Sequence, residues 1–296
     1  MKNEHPLVVV CATITEMHAQ IAQARSTGKS VGCVPTMGYL HEGHASLIRV
    51  AAQNHPFVVV SIFVNPTQFG PSEDFERYPR DLERDMQIAS EAGATHVFLP
   101  SVQEMYPDEV RSTIHIDGIT DVLEGASRPT HFDGVATVVA RLFQAMLPDE
   151  AYFGQKDLQQ TLVIRKLVAT STDDAVRSTK VTVLPTVREE DGLAKSSRNV
   201  YLNDVDRRDA TAIYDALCSA RDQIVAGCSS RATIELLMKV MLQRVDRLEI
   251  DYAVAVEAES LRLDSDTLPA HVALCIAARL GGTRLIDNML VERPTT

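Results

Sequence analysis

The sequence predicts an α/β protein: a Rossmann-like parallel sheet with helices on both faces, followed by a smaller α+β carboxyl-terminal domain. Three observations carry this. The run Phe57-Val58-Val59-Val60-Ser61-Ile62-Phe63-Val64 has strand length and no polar alternation, as in strands buried on both faces. Segments with apolar residues at helical spacing separate that run from other short apolar runs. After about Asn203, long amphipathic patterns take over and apolar strands gather near the end of the chain. The change of character puts a boundary between Val187 and Asn203, with a first domain over 1–187 and a second over 188–296.

In chain order, Met17, Ile21 and Ala24 mark a helix over Thr15 to Thr27, closed by Gly28. A strand follows over Lys29 to Pro35, then a helix over Gly43 to Asn54 with Leu47, Ile48 and Ala51 on one face. Phe57 to Val64 is a strand, Asp81 to Ala92 a helix and His96 to Leu99 a strand. Next come a helix over Val135 to Met146, a strand over Ala151 to Phe153, a helix over Leu158 to Thr170 and a strand over Val181 to Val187. The second domain reads as helices over Asp206 to Ala226 and Ala232 to Arg244. Strands over Leu248 to Val256, His271 to Arg279 and Arg284 to Val291 complete it, with Gly281-Gly282 turning between the last two.

The bulk composition narrows the function. With 296 residues, 45% hydrophobic and 23% charged, the chain is globular rather than disordered and long enough for one large or two unequal domains. A net charge of −11 without a basic cluster argues against nucleic acid as a partner, and an anionic ligand would need local cations. The cysteines, Cys11, Cys33, Cys218, Cys228 and Cys275, are odd in number and widely spaced. No CxxC pair occurs, so reduced thiols in a cytoplasmic protein are expected rather than zinc or a disulfide framework. The apolar run Leu7 to Ala12 is too short to cross a bilayer and lacks a cleavage-site pattern, and no transmembrane stretch follows, so no membrane partner is expected.

Four segments carry chemistry. Pro35-Thr36-Met37-Gly38-Tyr39-Leu40-His41-Glu42-Gly43-His44 joins a buried strand to a helix. Such crossovers at the carboxyl edge of a parallel sheet bind ligands, and the N-terminus of the following helix offers N–H groups and a positive dipole end to phosphates. His41 and His44 face the same way on a first helical turn, and their imidazoles can donate to phosphate oxygens as charge builds. A lone histidine near a loop is usually only solvated, and HExxH is absent because Ala45 stands four after His41. The full His-x-Gly-His pattern after a strand is far more specific, being the signature of the nucleotidyltransferase superfamily that includes class I aminoacyl-tRNA synthetases.

Phe63-Val64-Asn65-Pro66-Thr67-Gln68-Phe69 lies past the next apolar strand. Asn65 and Gln68 supply amides suited to a hydroxy acid, and Phe63 and Phe69 could wall its pocket, although an ordinary polar loop would read the same way. Phe153-Gly154-Gln155-Lys156-Asp157-Leu158-Gln159-Gln160 also joins a strand to a helix. Gly154 permits a tight turn, Asp157 can cap the helix, and Gln160 lies one turn beyond Lys156. A lysine at a helix N-terminus is electrostatically misplaced unless an anion binds there, although it could also simply be solvated. Finally, Pro185-Thr186-Val187-Arg188 leads to Asp191-Gly192-Leu193-Ala194-Lys195-Ser196-Ser197-Arg198-Asn199. Its two hydroxyls and following arginine suit a polyphosphate clasp, although Ser-Ser-Arg alone is weak.

In order and near spacing these segments resemble the pantothenate synthetase family. So do Phe75-Glu76-Arg77-Tyr78-Pro79-Arg80 with Asp85, and Glu124-Gly125-Ala126-Ser127-Arg128-Pro129-Thr130-His131-Phe132-Asp133-Gly134-Val135. The resemblance covers about Val34 to Tyr201. It implies condensation of (R)-pantoate with β-alanine, with ATP going to AMP and pyrophosphate through a pantoyl adenylate. It implies ATP binding by Met37, Gly38, Tyr39, Leu40, His41, Glu42, Gly43 and His44, by Gly154, Gln155, Lys156 and Asp157, and by Val187, Lys195, Ser196, Ser197 and Arg198. Pantoate would meet Gln68, Gln160, Pro35, Thr36 and Met37, with Gln68 also near β-alanine. His44, His41, Lys156 and Arg198 would be the catalytic groups, with His44 the proton donor. Mg²⁺ would accompany ATP, and a homodimer is implied. Lys195 stands where the family usually has methionine, Gln155 where it has glutamate and Leu158 where it has an aromatic residue. Two other readings stay open on the residues alone: a nucleotidyltransferase, such as a cytidylyltransferase, that leaves the nucleotide on its product, and a non-catalytic nucleotide sensor.

Overall fold

The structure is a computed structural model and describes residues 8–71, 73–262 and 264–294. The amino-terminal stretch through Leu7, part of the run read above as too short for a bilayer, lies outside the described residues. The chain divides into two compact units: the described residues of Met1–Gly154 with Gln160–Pro185, and those of Gln155–Gln159 with Thr186–Thr296.

The first unit alternates strand and helix: β1 (Val9–Cys11), α1 (Ile14–Ser26), β2 (Val31–Thr36), α2 (Glu42–Asn54), β3 (Phe57–Ile62), α3 (Leu82–Ala92) and β4 (His96–Phe98). The short α4 (Val102–Met105) and α5 (Glu124–Ser127) precede α6 (His131–Met146), β5 (Glu150–Gly154), α7 (Leu158–Thr170), α8 (Asp174–Arg177) and β6 (Lys180–Leu184). The six strands pair in the order β1-β4-β3-β2-β5-β6, and every pairing is parallel. Successive strand residues feed opposite cores. Val31, Cys33, Phe57 and Val59 pack with α1 and α6 residues such as Met17, Ile21, Val135 and Val139. Val34, Val58, Val60 and Ile62 pack with Leu47, Ile48 and Ala51 of α2 and Ala89 of α3. Being fully covered on both sides, Val58, Val59 and Val60 each contribute about 1.5–3 kcal/mol by burial. After β2 the chain moves outward through β3 and β4, then returns so that β5 pairs with β2 on its other side. The strand order therefore reverses between β2 and β5, where open α/β sheets hold their ligands.

The second unit contains α9 (Asp204–Asp209), α10 (Ala212–Val225), α11 (Arg231–Leu242), β7 (Leu248–Glu257), β8 (His271–Leu280) and β9 (Thr283–Glu292). Its three strands form an antiparallel sheet in sequence order. Ile213, Ala216, Leu217, Ala220 and Ile224 recur at helical spacing on α10. They are buried with Ile234, Met238 and Leu242 of α11 against Val272, Leu274 and Ile276 of β8.

The structure revises four expectations. β1 is a strand that the sequence reading did not assign; Val9 and Val10 are exposed on the sheet edge, so the three-residue strand lacks a buried apolar pattern. α6 starts at His131, ahead of the expected Val135; in its first turn Phe132 is the core side chain, set between the polar His131 and Asp133. β6 ends at Leu184, short of Val187. The helix expected over Asp206 to Ala226 is divided: Thr211 N donates to Arg208 O and Ile213 N to Ala210 O, tighter bonds that interrupt the α-helical ladder. No helix among the described residues is long and apolar enough to cross a membrane.

Candidate functional site

The carboxyl end of β2 sets up the first part of the site. Thr36 Oγ1 donates to Ser61 O at 2.6 Å and accepts from Gly38 N at 3.1 Å, so the chain turns immediately after the strand. Gly38 has φ +82°, and a Cβ there would lie 3.0 Å from Asp85 Oδ2; both the backbone and the space call for glycine. Asp85, buried in the first turn of α3, accepts from Tyr39 N at 2.8 Å and from Leu40 N at 2.6 Å. Burial pushes its carboxyl above the usual range, with the two amide donors opposing that shift. Tyr39 adopts φ +50°, a left-handed conformation that the grip of Asp85 helps to hold.

His41 is the N-cap of α2. Its Nδ1 accepts from Gly43 N at 3.1 Å, while His44 Nδ1 accepts from His41 N at 3.2 Å. The two histidines form a reciprocal capping pair with ring centroids 4.1 Å apart. Because both Nδ1 atoms accept backbone hydrogens, the neutral rings carry their proton on Nε2. Glu42 faces Arg49 with bonds of 2.5 and 3.1 Å, so its carboxylate supports α2.

The loop after β3 places Gln68 in a 3-10 turn, Pro66–Gln68. Asn65 does not offer its amide to a ligand as expected. It is 1% exposed, its Oδ1 accepts from Tyr106 Oη at 2.7 Å and Thr67 Oγ1 at 3.1 Å, and its Nδ2 donates to Gln68 Oε1 and Gly134 O, each at 3.2 Å. Asn65 therefore positions Gln68. Gln68 Nε2 reaches Met37 Sδ at 3.0 Å, linking the two loops. Phe63 belongs to the main core, and Phe69 packs on Phe75 and Tyr78, with centroids 5.4 and 6.0 Å away.

A half-buried polar group fixes the Gln68 backbone. His131 Nδ1 donates to Gln68 O at 2.8 Å, and Arg128 Nη1 donates to His131 Nε2 at 3.1 Å. Since Arg128 can only donate, this arrangement sets the His131 tautomer. Burial, then the charge of Arg128, pushes the imidazole down to about 4. Arg128 also grips Glu73 with two bonds of 2.6 Å. Burial would raise the Glu73 carboxyl, but the Arg128 hydrogen bonds override it and hold the group below the usual range. α6 can approach the turn because residue 134 is glycine: a Cβ there would stand 2.3 Å from Thr67 O. Gln160, half-buried on the first turn of α7, belongs to the same unit.

Gly154 ends β5 with open space where a Cβ would sit and without positive φ, so the expected glycine-dependent tight turn is not what the backbone adopts. The next residues, Gln155–Asp157, form a 3-10 turn assigned to the second unit. Lys156 Nζ is 3.4 Å from Asp157 Oδ1. In the same unit, Arg188 pairs with Ala194 across a short antiparallel bridge, and Lys195 N donates to Val187 O. Lys195 Nζ meets Glu189 Oε2 at 2.6 Å. Ser196 Oγ accepts from Arg198 N at 3.3 Å and caps the 3-10 helix Ser197–Tyr201; Ser197 is buried. Sequence reasoning missed Asn65's supporting role and the parts played by Asp85, Glu73, Arg128 and His131. Asp85, Glu73 and His131 act on partners 45 to 63 residues away, which no local pattern signals, whereas Asn65 acts on the neighbouring Thr67 and Gln68 and was singled out for the wrong task.

Residues 9–290 match the family described as Pantoate-beta-alanine ligase. The chain is 47% identical to a pantothenate synthetase of Acetivibrio thermocellus over 283 residues, 96% of this chain and 99% of the relative. It is 48% identical to one of Moorella thermoacetica over 280 residues, 95% and 97% of the two chains. The crystal structure of pantothenate synthetase from Thermus thermophilus superposes with a TM-score of 0.88 at 45% identity, covering 95% of this chain and 99% of that one. A pantoate-beta-alanine ligase from Francisella tularensis, complexed with beta-gamma ATP and β-alanine, gives a TM-score of 0.75 at 34% identity, covering 96% and 97%.

Proposed function

Because this chain belongs to the pantoate-beta-alanine ligase family and joins pantoate to β-alanine using ATP, we propose that a pantoyl adenylate is the intermediate and that the residues described above carry the chemistry. The observation that carries the site assignment is the His41–His44 pair at the N-terminus of α2. Its capping bonds leave Nε2 as the proton-bearing nitrogen of both rings. A helix N-terminus with two imidazole donors favours the negative charge of a triphosphate.

A pantoate carboxylate oxygen attacks the α-phosphorus, the bond to the bridging oxygen breaks, and pyrophosphate departs with the electron pair. Both reactants are anionic, so the step needs positive and hydrogen-bonding groups at the phosphates. Met37 to His44, Gly154 to Asp157, Val187 and Ser196 to Arg198 are the proposed ATP residues. Lys156 and Arg198 supply charge, and His41 and His44 donate to the departing oxygens, His44 as the proton donor. The β-alanine amine then attacks the adenylate carbonyl, and AMP leaves. Gln68 and Gln160 hold pantoate, walled by Pro35, Thr36 and Met37, with Gln68 also near β-alanine. With Gln68 bonded to Asn65 and Met37, its amide still has an N–H and an oxygen lone pair to offer. The contact of Lys195 with Glu189 supports a loop-holding role for that ammonium rather than a phosphate contact.

Among the described residues no group of three or more His, Cys, Asp or Glu could hold a metal ion. Mg²⁺ keeps several waters and needs only one or two carboxylates beside substrate phosphates, so Mg²⁺ is proposed to arrive on ATP and neutralise phosphate charge. A homodimer in the cytoplasm is also proposed; a reducing compartment suits five cysteines that form no disulfide. Analysis of products from purified protein with ATP, pantoate and β-alanine tests the reading. Pantothenate, free AMP and pyrophosphate in equal amounts are expected. A product that retains the nucleotide would instead establish a nucleotidyltransferase.

A further inference from the structure

The side chain of Asn288 is committed to the turn that bears Lys156. Asn288 sits on β9, 4% exposed. Its Nδ2 donates to Gln155 O and to Lys156 O, both at 2.9 Å, and its Oδ1 accepts from Gln155 Nε2 at 3.3 Å. Both N–H groups and the oxygen of one amide thus serve a three-residue 3-10 turn. The neighbouring residue holds a second segment. Asp287, also buried, binds Arg188 through bonds of 2.6 and 3.0 Å, and its Oδ1 accepts from Asn288 N at 2.8 Å. Arg188 in turn donates to Gly192 O at 3.0 Å and stacks on Tyr214 with its guanidinium carbon 4.3 Å from the ring centroid. Arg188 opens the loop that leads to Lys195–Arg198.

We infer that Asp287-Asn288 is the positioning dipeptide of the ligase reaction, with Asn288 fixing the Lys156 backbone and Asp287 fixing the start of the Arg198 loop. This inference rests on the proposed role of Lys156. The physical case is one of leverage. Lysine is a flexible point charge, so its phosphate contact is only as well placed as its backbone. A short 3-10 turn has weak internal bonds, and its carbonyls need partners. An asparagine on a sheet strand supplies two donors from a rigid element. Misplacing a charge by about 1 Å can cost on the order of 100-fold in rate.

The test uses pantoate-dependent exchange of pyrophosphate into ATP, which reads adenylate formation without the second half-reaction. Asn288→Ala is expected to lower the exchange rate by about 10- to 100-fold while KM for pantoate changes less than about twofold. In a Lys156→Ala background the same change is expected to lower the residual rate less than about threefold, because the positioned group is gone. An undiminished effect in that background, or normal exchange by Asn288→Ala, overturns the inference. If Asn288→Ala does not fold, Asn288→Ser, which keeps one donor, takes its place with the same thresholds. Failure of both to fold would assign Asn288 to stability alone and also overturn it. Failure of the underlying reading looks different: the wild-type protein would show no exchange, or Lys156→Ala would exchange normally.

Discussion

His44 uses its two ring nitrogens for separate tasks. Nδ1 takes the His41 amide hydrogen and helps to cap α2, worth about 1 kcal/mol, whereas Nε2 is the proposed donor to phosphate. Substitution can separate the two. In His44→Asn the side-chain oxygen reaches the Nδ1 position and can still accept from His41 N, but nothing replaces Nε2. Synthesis is expected to fall by roughly 100- to 1,000-fold, as for the loss of a single transition-state donor, with stability within about 0.5 kcal/mol of wild type. Steady-state rates and thermal unfolding measure both. Near-normal turnover would remove His44 from the chemistry, and a large loss of stability would show that capping dominates. The same residue-level logic applies to Asp85, which holds the proposed phosphate loop through the amides of Tyr39 and Leu40 and is therefore a positioning group.

At the scale of elements, the contact between α6 and the Pro66–Gln68 turn sets the geometry of Gln68, the proposed pantoate residue. Gly134→Ala would place a methyl group 2.3 Å from Thr67 O and 2.8 Å from Gln68 Cα, and backbone atoms cannot yield as a side-chain tip can. The substitution is expected to destabilise the protein by about 1–3 kcal/mol and to raise KM for pantoate several-fold more than KM for ATP. Denaturant unfolding and steady-state kinetics check this, and a stability and pantoate KM like those of wild type would show that the contact does not matter. The sequence made some elements legible and hid others for physical reasons. β3 could be read because each of its residues is buried, leaving one continuous apolar run. β1 lies inside the apolar run Leu7 to Ala12, which the sequence reading weighs only against a membrane span; with two of its three residues exposed it is a short edge strand rather than a buried one. The α9–α10 break went unseen because Ala210 and Thr211 keep helical dihedrals and no glycine or proline marks it.

At the scale of the whole chain, a net charge of −11 must coexist with a triply phosphorylated substrate, so positive groups are expected to be concentrated rather than spread. The segments proposed to bind ATP were legible because glycine, histidine and Ser-Ser-Arg patterns are local in sequence. Their supports were not. Asp85 lies 46 residues from Tyr39, and Asn288 lies 132 residues from Lys156. Asp287-Asn288 is a polar pair that interrupts the apolar stretches Leu285-Ile286 and Met289-Leu290-Val291 of β9. Such local violations are expected where function outweighs regularity.

A pantoyl adenylate requires that the pantoate carboxylate bond to the α-phosphorus of ATP. Pantoate labelled with ¹⁸O in both carboxylate oxygens, turned over with ATP and β-alanine, answers this by mass spectrometry of the products. If the adenylate forms and the amine attacks its carbonyl, each AMP carries one ¹⁸O and each pantothenate keeps the other in its amide. AMP without label, beside pantothenate formed at the normal rate, would contradict the mechanism.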